Sequence, residues 1–188
     1  MGICTSCQAG TLEPSFKSSP FWIIKESVTN NEKEQGKIFT YSGKNKFGYS
    51  ENTSSYFLGK EMGRVGLNLL SFNLSCLYLH DLPKNKRTKD GRELIQGCQD
   101  YSISELIKAT QGAKIVLLMG AEIVRLFTGY GVSDVSGLVC KSPLLSNVPV
   151  IIPAPNPDKI MAQPIGELRN ALAVLAEQIK VYNQYSKI

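Results

Sequence analysis

The sequence lacks any long hydrophobic run, since unbroken apolar stretches such as Ile115–Met119 are far too short to cross a bilayer. Charged residues are also scarce: they make up 20% of the chain against 43% hydrophobic residues, a balance that excludes global disorder. No basic segment followed by an apolar one opens the chain, and no internal repeat or linker divides its 188 residues. The sequence therefore predicts a single cytoplasmic domain over residues 1–188, with no membrane partner.

Positive charge exceeds negative charge modestly, with 21 lysines and arginines against 16 acidic residues and a net charge of +5. A balance of this size suits a polyanionic partner without requiring one. The charge is concentrated in a basic segment, residues 84–92, which contains Lys84, Lys86, Arg87, Lys89 and Arg92. An ordinary solvated surface loop is the alternative interpretation of this segment.

The five cysteines of a chain expected to be intracellular favour metal or redox chemistry over disulfides. Cys4 and Cys7 form a C-x2-C pair, which lets two thiolates from one tight turn reach the same metal. Two further thiolates, from Cys76 and Cys98, would complete a four-sulfur site suited to zinc or to an iron–sulfur cluster. The alternative is that Cys76 and Cys98 are small buried side chains of the core.

Short buried strands alternate with helices along the chain. The patterns predict strands over Phe21–Ile24, Leu69–Ser75, Lys114–Met119 and Val148–Ile152. They predict helices over residues 55–65, 93–109, 120–127 and 165–182. Buried apolar strands separated by helices indicate an α/β fold, a three-layer α/β/α sandwich around a mainly parallel four-stranded sheet.

In such sheets, ligands bind where loops leave the carboxyl ends of the strands. The loops that follow the first, second and last predicted strands contain Glu26, Cys76 and Asn156. We therefore expect an acid, a thiol and an amide to meet at one edge. His80, the single histidine, lies close to Cys76 in the sequence and is interpreted as a loop residue and not as a catalytic base.

The order of these features resembles the iron–sulfur uracil-DNA glycosylases, families 4 and 5 of the uracil-DNA glycosylase superfamily, over nearly the whole chain. The C-x2-C pair precedes the first strand, and residues 26–39 match the spacing of the motif G-E-A-P-G-x2-E-x3-G-x2-F. Residues 153–161 occupy the place of the H-P-S motif. The resemblance implies a [4Fe–4S] cluster, with zinc as the alternative, held by Cys4, Cys7, Cys76 and Cys98. Cys140 falls outside this set.

The resemblance also implies roles in hydrolysing the N-glycosidic bond of uracil or another deaminated base, which must be flipped out of the DNA. Glu26 would hold the attacking water, and Asn156 would donate a hydrogen bond to the base carbonyl. Phe39 would stack on the base, and Asn73 would read its Watson–Crick edge. The basic segment would contact DNA phosphates through Lys84, Lys86, Arg87 and Lys89.

Several positions depart from the family pattern. The loop Gly-Glu-Ala-Pro-Gly reads Lys-Glu-Ser-Val-Thr over residues 25–29, and Asn156 replaces the histidine of H-P-S. Asn73 lies three residues before Cys76 instead of four, a slip that turns a strand side chain to the opposite face unless a bulge restores it.

We therefore expect a glycosylase of weak or altered activity. The alternative is a non-catalytic DNA-binding or replication-accessory subunit, with a DNA polymerase or other replication protein as its partner. A third reading, a structural zinc protein unrelated to DNA, explains the C-x2-C pair but not the order of the motifs.

Overall fold

The structure, a computed structural model, describes residues 2–44, 50–80, 89–157 and 165–186. The strands are β1 (Gly2–Ile3), β2 (Gly10–Thr11), β3 (Phe21–Ser27), β4 (Ser42–Lys44), β5 (Ser50–Asn52), β6 (Asn73–Tyr78), β7 (Ile115–Met119) and β8 (Val150–Ala154). The helices are α1 (Asn30–Gln35), α2 (Ser54–Arg64), α3 (Lys89–Ala109), α4 (Ala121–Thr128), α5 (Val132–Val135) and α6 (Ile165–Tyr185), with a 3-10 helix at Leu69–Ser71. Among these helices, none is long and apolar enough to pass through a bilayer.

One four-stranded sheet forms the centre of the molecule. Its strands run in the order β6-β3-β7-β8, and every neighbouring pair is parallel. The core on one face includes Leu58 of α2 and Leu172 of α6, and the core on the other includes Leu106 of α3 and Phe127 of α4. Because helices cover both faces, β7 is apolar at every position, and β3 and β8 are mostly apolar. The predicted α/β/α sandwich with a four-stranded parallel sheet is confirmed.

The second strand of the sheet begins later than the sequence pattern predicts. Alternating residues predict a strand over Leu69–Ser75, yet the chain first forms the 3-10 helix, and β6 begins only at Asn73. The side chain of Asn68 accepts a hydrogen bond from the Leu70 N–H at 3.0 Å and so caps that turn, which competes with extended backbone. Cys76 consequently lies in the middle of β6 and not at its end.

Residues 4–19 form an N-terminal strap along the outer edge of β6. The Leu12 N–H donates to the carbonyl of Leu79 at 2.9 Å, and Ser15 and Leu74 exchange two backbone hydrogen bonds of 2.9 Å each. An uncovered edge strand would offer unpaired backbone groups to another chain. The strap therefore completes the sheet on this side, and it brings the C-x2-C turn to the end of β6.

An ion pair connects α2 to α6. Glu61 is buried on α2, and its Oε2 accepts a hydrogen bond from Arg169 Nε at 2.7 Å. This hydrogen bond holds the pKa of Glu61 below its usual value, although burial acts in the opposite direction. A carboxylate with a lowered folded-state pKa stabilises the fold above its unfolded pKa of about 4.3. That stabilisation is lost as the pH falls through the lower, folded-state pKa.

We expect Glu61→Gln to lower the free energy of unfolding by about 1 kcal/mol at neutral pH, since Arg169 is half-exposed and water screens the pair. The difference from wild type should shrink as the pH falls below about 4, where the wild-type carboxylate takes up its proton. Urea denaturation at a series of pH values measures both effects. Glu177→Gln, at an exposed position of α6, is the matched control. A difference in unfolding free energy that stays constant below about pH 4 would contradict a stabilising ion pair between Glu61 and Arg169.

Candidate metal centre and carboxyl edge

Three cysteines and a histidine gather between the N-terminal strap and α3. Among the described residues, Cys4, Cys7, His80 and Cys98 each place one ligand atom within 4.8 Å of the others. The sulfurs of Cys4 and Cys98 are 3.8 Å apart. Cys7 is half-buried, and the other three residues are buried. These four residues are close enough to hold a metal ion, and we call them the metal centre.

Local structure brings the donors together. The turn that carries Cys4 and Cys7 closes a small hairpin of β1 and β2, in which the Cys4 N–H donates to the carbonyl of Ala9 at 2.9 Å. Cys98 lies on α3, and Gly97 precedes it. A Cβ on Gly97 would come within 2.8 Å of Ser6 Oγ, so a glycine here permits the close approach of α3 to the turn.

The crowding of the sulfurs is visible in their pKa values. Burial raises the pKa of the Cys98 thiol, and hydrogen bonds with the neighbouring Cys7 and Cys4 contribute to the rise, which brings it to about 12. Burial also acts to raise the pKa of Cys4, but hydrogen bonds from the backbone of Cys7 and Ser6 outweigh it and lower that pKa. A bound cation stabilises thiolates, so a metal ion at this position would favour the deprotonated form of these cysteines.

Cys76, the fourth ligand implied by the resemblance, is not a member of this group. It lies beside Lys25 in the middle of β6 and packs in the hydrophobic core with residues such as Ile23. Because β6 begins late, the chain leaves the sheet only after Tyr78, and His80 takes the position next to the cysteines. The structure therefore brings together Cys4, Cys7, His80 and Cys98, and a ligand set that includes Cys76 stays a prediction. Cys140 lies elsewhere, in a backbone bridge with Ile151.

Sequence reasoning missed His80 as a member of this group, although a signal was present. His80 is the single histidine of the chain, and it follows directly on a strand and precedes the basic segment. Neutral imidazole is a common zinc ligand, and a single histidine in a chain with a C-x2-C pair fits a Cys3His site.

The carboxyl ends of the strands form a second candidate region, which we call the carboxyl edge. Lys25, Met119 and Ala154 stand side by side on β3, β7 and β8. Glu26 and Asn156 lie one and two residues beyond this level, so the structure brings both to the same edge. Two strand spacings of about 4.8 Å each separate β3 from β8.

The carboxylate of Glu26 is held by α4. Its Oε2 accepts a hydrogen bond from the Glu122 N–H in the first turn of that helix at 3.2 Å, where the helix dipole favours negative charge. Gly120 precedes the helix with φ of +127°, and a Cβ there would come within 2.5 Å of Glu26 Oε2. The Glu26 side chain thus already has a structural role as a cap of α4.

Asn73 lies at the amino ends of the strands, on the side of the sheet opposite the carboxyl edge. It begins β6 beside Trp22, and the register from this pair to Lys25 and Cys76 runs without a bulge. Its Oδ1 accepts a hydrogen bond from the Lys17 N–H, and its Nδ2 donates to the carbonyl of residue 19 at 2.6 Å. Asn73 anchors the end of the strap, and the structure does not bring it to Glu26 and Asn156.

Phe39 packs against a buried ion pair that sequence reasoning missed. Lys25 Nζ lies 2.7 Å from Glu32 Oε2, and these side chains are 1% and 2% exposed. The ring centroid of Phe39 is 5.3 Å from the same nitrogen. The missed signal is the capping box Thr29-x-x-Glu32, which begins α1 and draws Glu32 inward.

The basic segment lies mostly outside the described residues, which exclude Lys84, Lys86 and Arg87. Lys89 begins α3, one turn earlier than the predicted helix start, and forms an exposed ion pair with Glu93 at 3.7 Å. Along the chain, the segment is flanked by two members of the metal centre, His80 and Cys98.

No protein-family model fits the chain, and no curated protein is significantly similar to it. The resemblance to iron–sulfur uracil-DNA glycosylases therefore stays a hypothesis that depends on the order of the motifs.

Proposed function

We propose that this protein is a metal-stabilised DNA-binding protein of glycosylase-like architecture that acts as a non-catalytic DNA-binding or replication-accessory subunit. The position of the metal centre in the chain carries the proposal. His80 and Cys98 lie on either side of the basic segment, so a metal bound to both would hold its two ends together. Cys4 and Cys7 would fasten the same point to the strap. A basic segment fixed in this way presents its charges to phosphates in a defined arrangement.

The donor set and its spacing favour one zinc ion. In a tetrahedral site with Zn–S bonds of about 2.3 Å, two sulfurs lie about 3.8 Å apart, and three thiolates with one imidazole are a common structural set. The Cys4 and Cys98 sulfurs are separated by 3.8 Å. A [4Fe–4S] cluster would place four irons between its ligands and so hold them farther apart. We therefore propose zinc in place of the cluster that the resemblance implies.

Binding without excision is supported by the carboxyl edge. Base excision would require Glu26, Phe39 and Asn156 to meet around one flipped base, and Asn73 would read that base only if a bulge turned it inward. Asn73 lies at the opposite edge, and the Glu26 carboxylate is occupied by α4. Phe39 is buried against Lys25.

Substitution of Lys86, Arg87 and Lys89 by serine tests the DNA interface. Each lost phosphate contact should reduce the slope of log affinity against log salt by about 0.7–0.9, because fewer counterions are released on binding. Fluorescence anisotropy with single- and double-stranded DNA over a range of salt concentrations measures the slope. A triple substitution of the exposed lysines Lys60, Lys114 and Lys180 removes the same charge elsewhere and should change the slope less. Equal slopes in the two triple variants would make the basic segment an ordinary surface loop.

An excision assay separates the accessory role from glycosylase activity. Metal-loaded wild-type protein is incubated with single- and double-stranded DNA that carries uracil, and abasic sites are scored. We expect DNA binding without abasic product. Abasic product that disappears in Glu26→Ala and Asn156→Ala would replace the accessory role with a DNA glycosylase.

A further inference from the structure

A lysine side chain fills the centre of the carboxyl edge. Lys25 lies on β3 between Cys76 of β6 and Met119 of β7, and only 1% of it is exposed. Lysine is almost never fully buried unless its charge is paired. Open α/β sheets bind their ligands at this edge, so Lys25 occupies space that such folds leave to a ligand.

The surroundings of the ammonium group are those of a cation receptor. Glu32 Oε2 accepts its hydrogen bond at 2.7 Å, and the Phe39 ring lies within the range of a cation–π contact, at 5.3 Å. Glu32 is itself oriented by the Thr29 N–H at 2.7 Å, the Thr29 hydroxyl at 3.0 Å and the Phe39 N–H. Phe39 has φ of +57°, a left-handed conformation that is uncommon for a bulky residue. The loop thus adopts an unfavourable backbone geometry that orients both the ring and its N–H toward this pair.

We infer that the Lys25 side chain fills the position over the Phe39 ring at the carboxyl edge and so keeps a nucleobase from stacking on that ring. A base in that position would have to displace the ammonium group from the ring. Glu32 would then be left as a buried carboxylate without its cation, which is strongly unfavourable. The inference rests on the proposed function because it names a DNA base as the excluded ligand. The site that binds the ammonium group, formed by Glu32 and Phe39, does not depend on DNA.

Truncation of Lys25 to alanine tests whether the receptor exists independently of the lysine. The atoms lost correspond to n-propylammonium, so this cation should bind in the cavity of Lys25→Ala. We expect propylammonium to raise the Tm of Lys25→Ala by about 2–4 °C at concentrations several-fold above its Kd, and to leave wild type unchanged. n-Propanol, which has the same shape without the charge, should have no effect. Lys37→Ala, at an exposed position beyond α1, is the control variant.

The outcomes are distinct from those that test DNA binding. Lys25→Ala/Glu32→Gln should not respond to propylammonium, because the carboxylate is gone. If Lys25→Ala does not fold alone, propylammonium present during refolding should restore it. Failure to restore it, or an equal Tm shift in wild type, overturns the inference. Binding of free uracil to wild type, measured by calorimetry, overturns it as well. A wild-type protein that does not bind DNA refutes the proposed function and leaves the propylammonium result intact.

Discussion

Replacement of Cys98 by serine is expected to remove the bound metal and to destabilise the fold severely. Apparent binding free energies of structural zinc are about 10–16 kcal/mol in zinc-finger peptides, as large as the whole stability of a typical domain, about 5–15 kcal/mol. Cys98 is buried on α3, so its loss also separates the helix from the strap. We expect Cys98→Ser to contain no stoichiometric metal, to unfold at a much lower urea concentration and to exchange the Leu12 and Ser15 amide protons faster.

Matched substitutions distinguish the two possible ligand sets. His80→Ala should lose the metal as Cys98→Ser does, and His80→Cys should retain it, since a thiolate can replace the imidazole at zinc. Cys76→Ser and Cys140→Ser should both retain the full metal content. Metal loss in Cys76→Ser together with retention in His80→Ala would restore the set that the resemblance implies.

Elemental analysis of anaerobically purified protein identifies the metal. One equivalent of zinc without iron is the expected result. Brown protein that contains iron and acid-labile sulfide in near-equal amounts would instead establish the [4Fe–4S] cluster. In either case the metal would fasten the strap to His80 and Cys98, so chelation should lower stability and, on the proposed function, weaken DNA binding.

The architecture could be predicted from the sequence because it depends on hydrophobic runs. Stretches such as Ile115–Met119 are apolar at every position, and a run of this length is typical of a strand buried on both faces. The start of β6 could not be predicted in this way. Leu70, Phe72 and Leu74 alternate with polar residues as in a strand, but the hydrogen bond of Asn68 selects a turn at the beginning of that stretch.

The metal centre was only partly predictable, for a related reason. A C-x2-C pair specifies two ligands by local geometry, whereas the partners from β6 and α3 depend on where those elements begin and end. A shift of β6 by four residues moves Cys76 into the core and brings His80 to the cysteines. Lys25 was not predicted as a buried residue because its partner, Glu32, lies seven residues away beyond a loop.

Glu32→Ala is expected to cost about 3–5 kcal/mol of unfolding free energy, the range found when one partner of a buried ion pair is removed. Glu32 serves four donors: the Lys25 ammonium group, the Thr29 N–H and hydroxyl, and the Phe39 N–H. Its removal leaves a buried cation without a carboxylate and frays the start of α1, which the capping box holds. Glu34→Ala, at an exposed position of the same helix, should change stability by less than about 0.5 kcal/mol.

Substitutions of Lys25 and of Glu32 should differ in their cost to stability, because Glu32 accepts four hydrogen bonds and Lys25 donates only one of them. Lys25→Met leaves Glu32 three of its four donors and keeps most of the buried volume, so it should cost less than Glu32→Ala, at the lower end of the range for a broken buried ion pair, about 3 kcal/mol. Adding Lys25→Met to Glu32→Ala should recover stability, because the double variant no longer buries an unpaired cation. Urea denaturation of wild type, both single variants and the double variant measures this coupling. A double variant less stable than Glu32→Ala would contradict this coupling. It would mean that the Lys25 ammonium group in Glu32→Ala finds another acceptor or reaches water, so that the lysine no longer blocks the carboxyl edge.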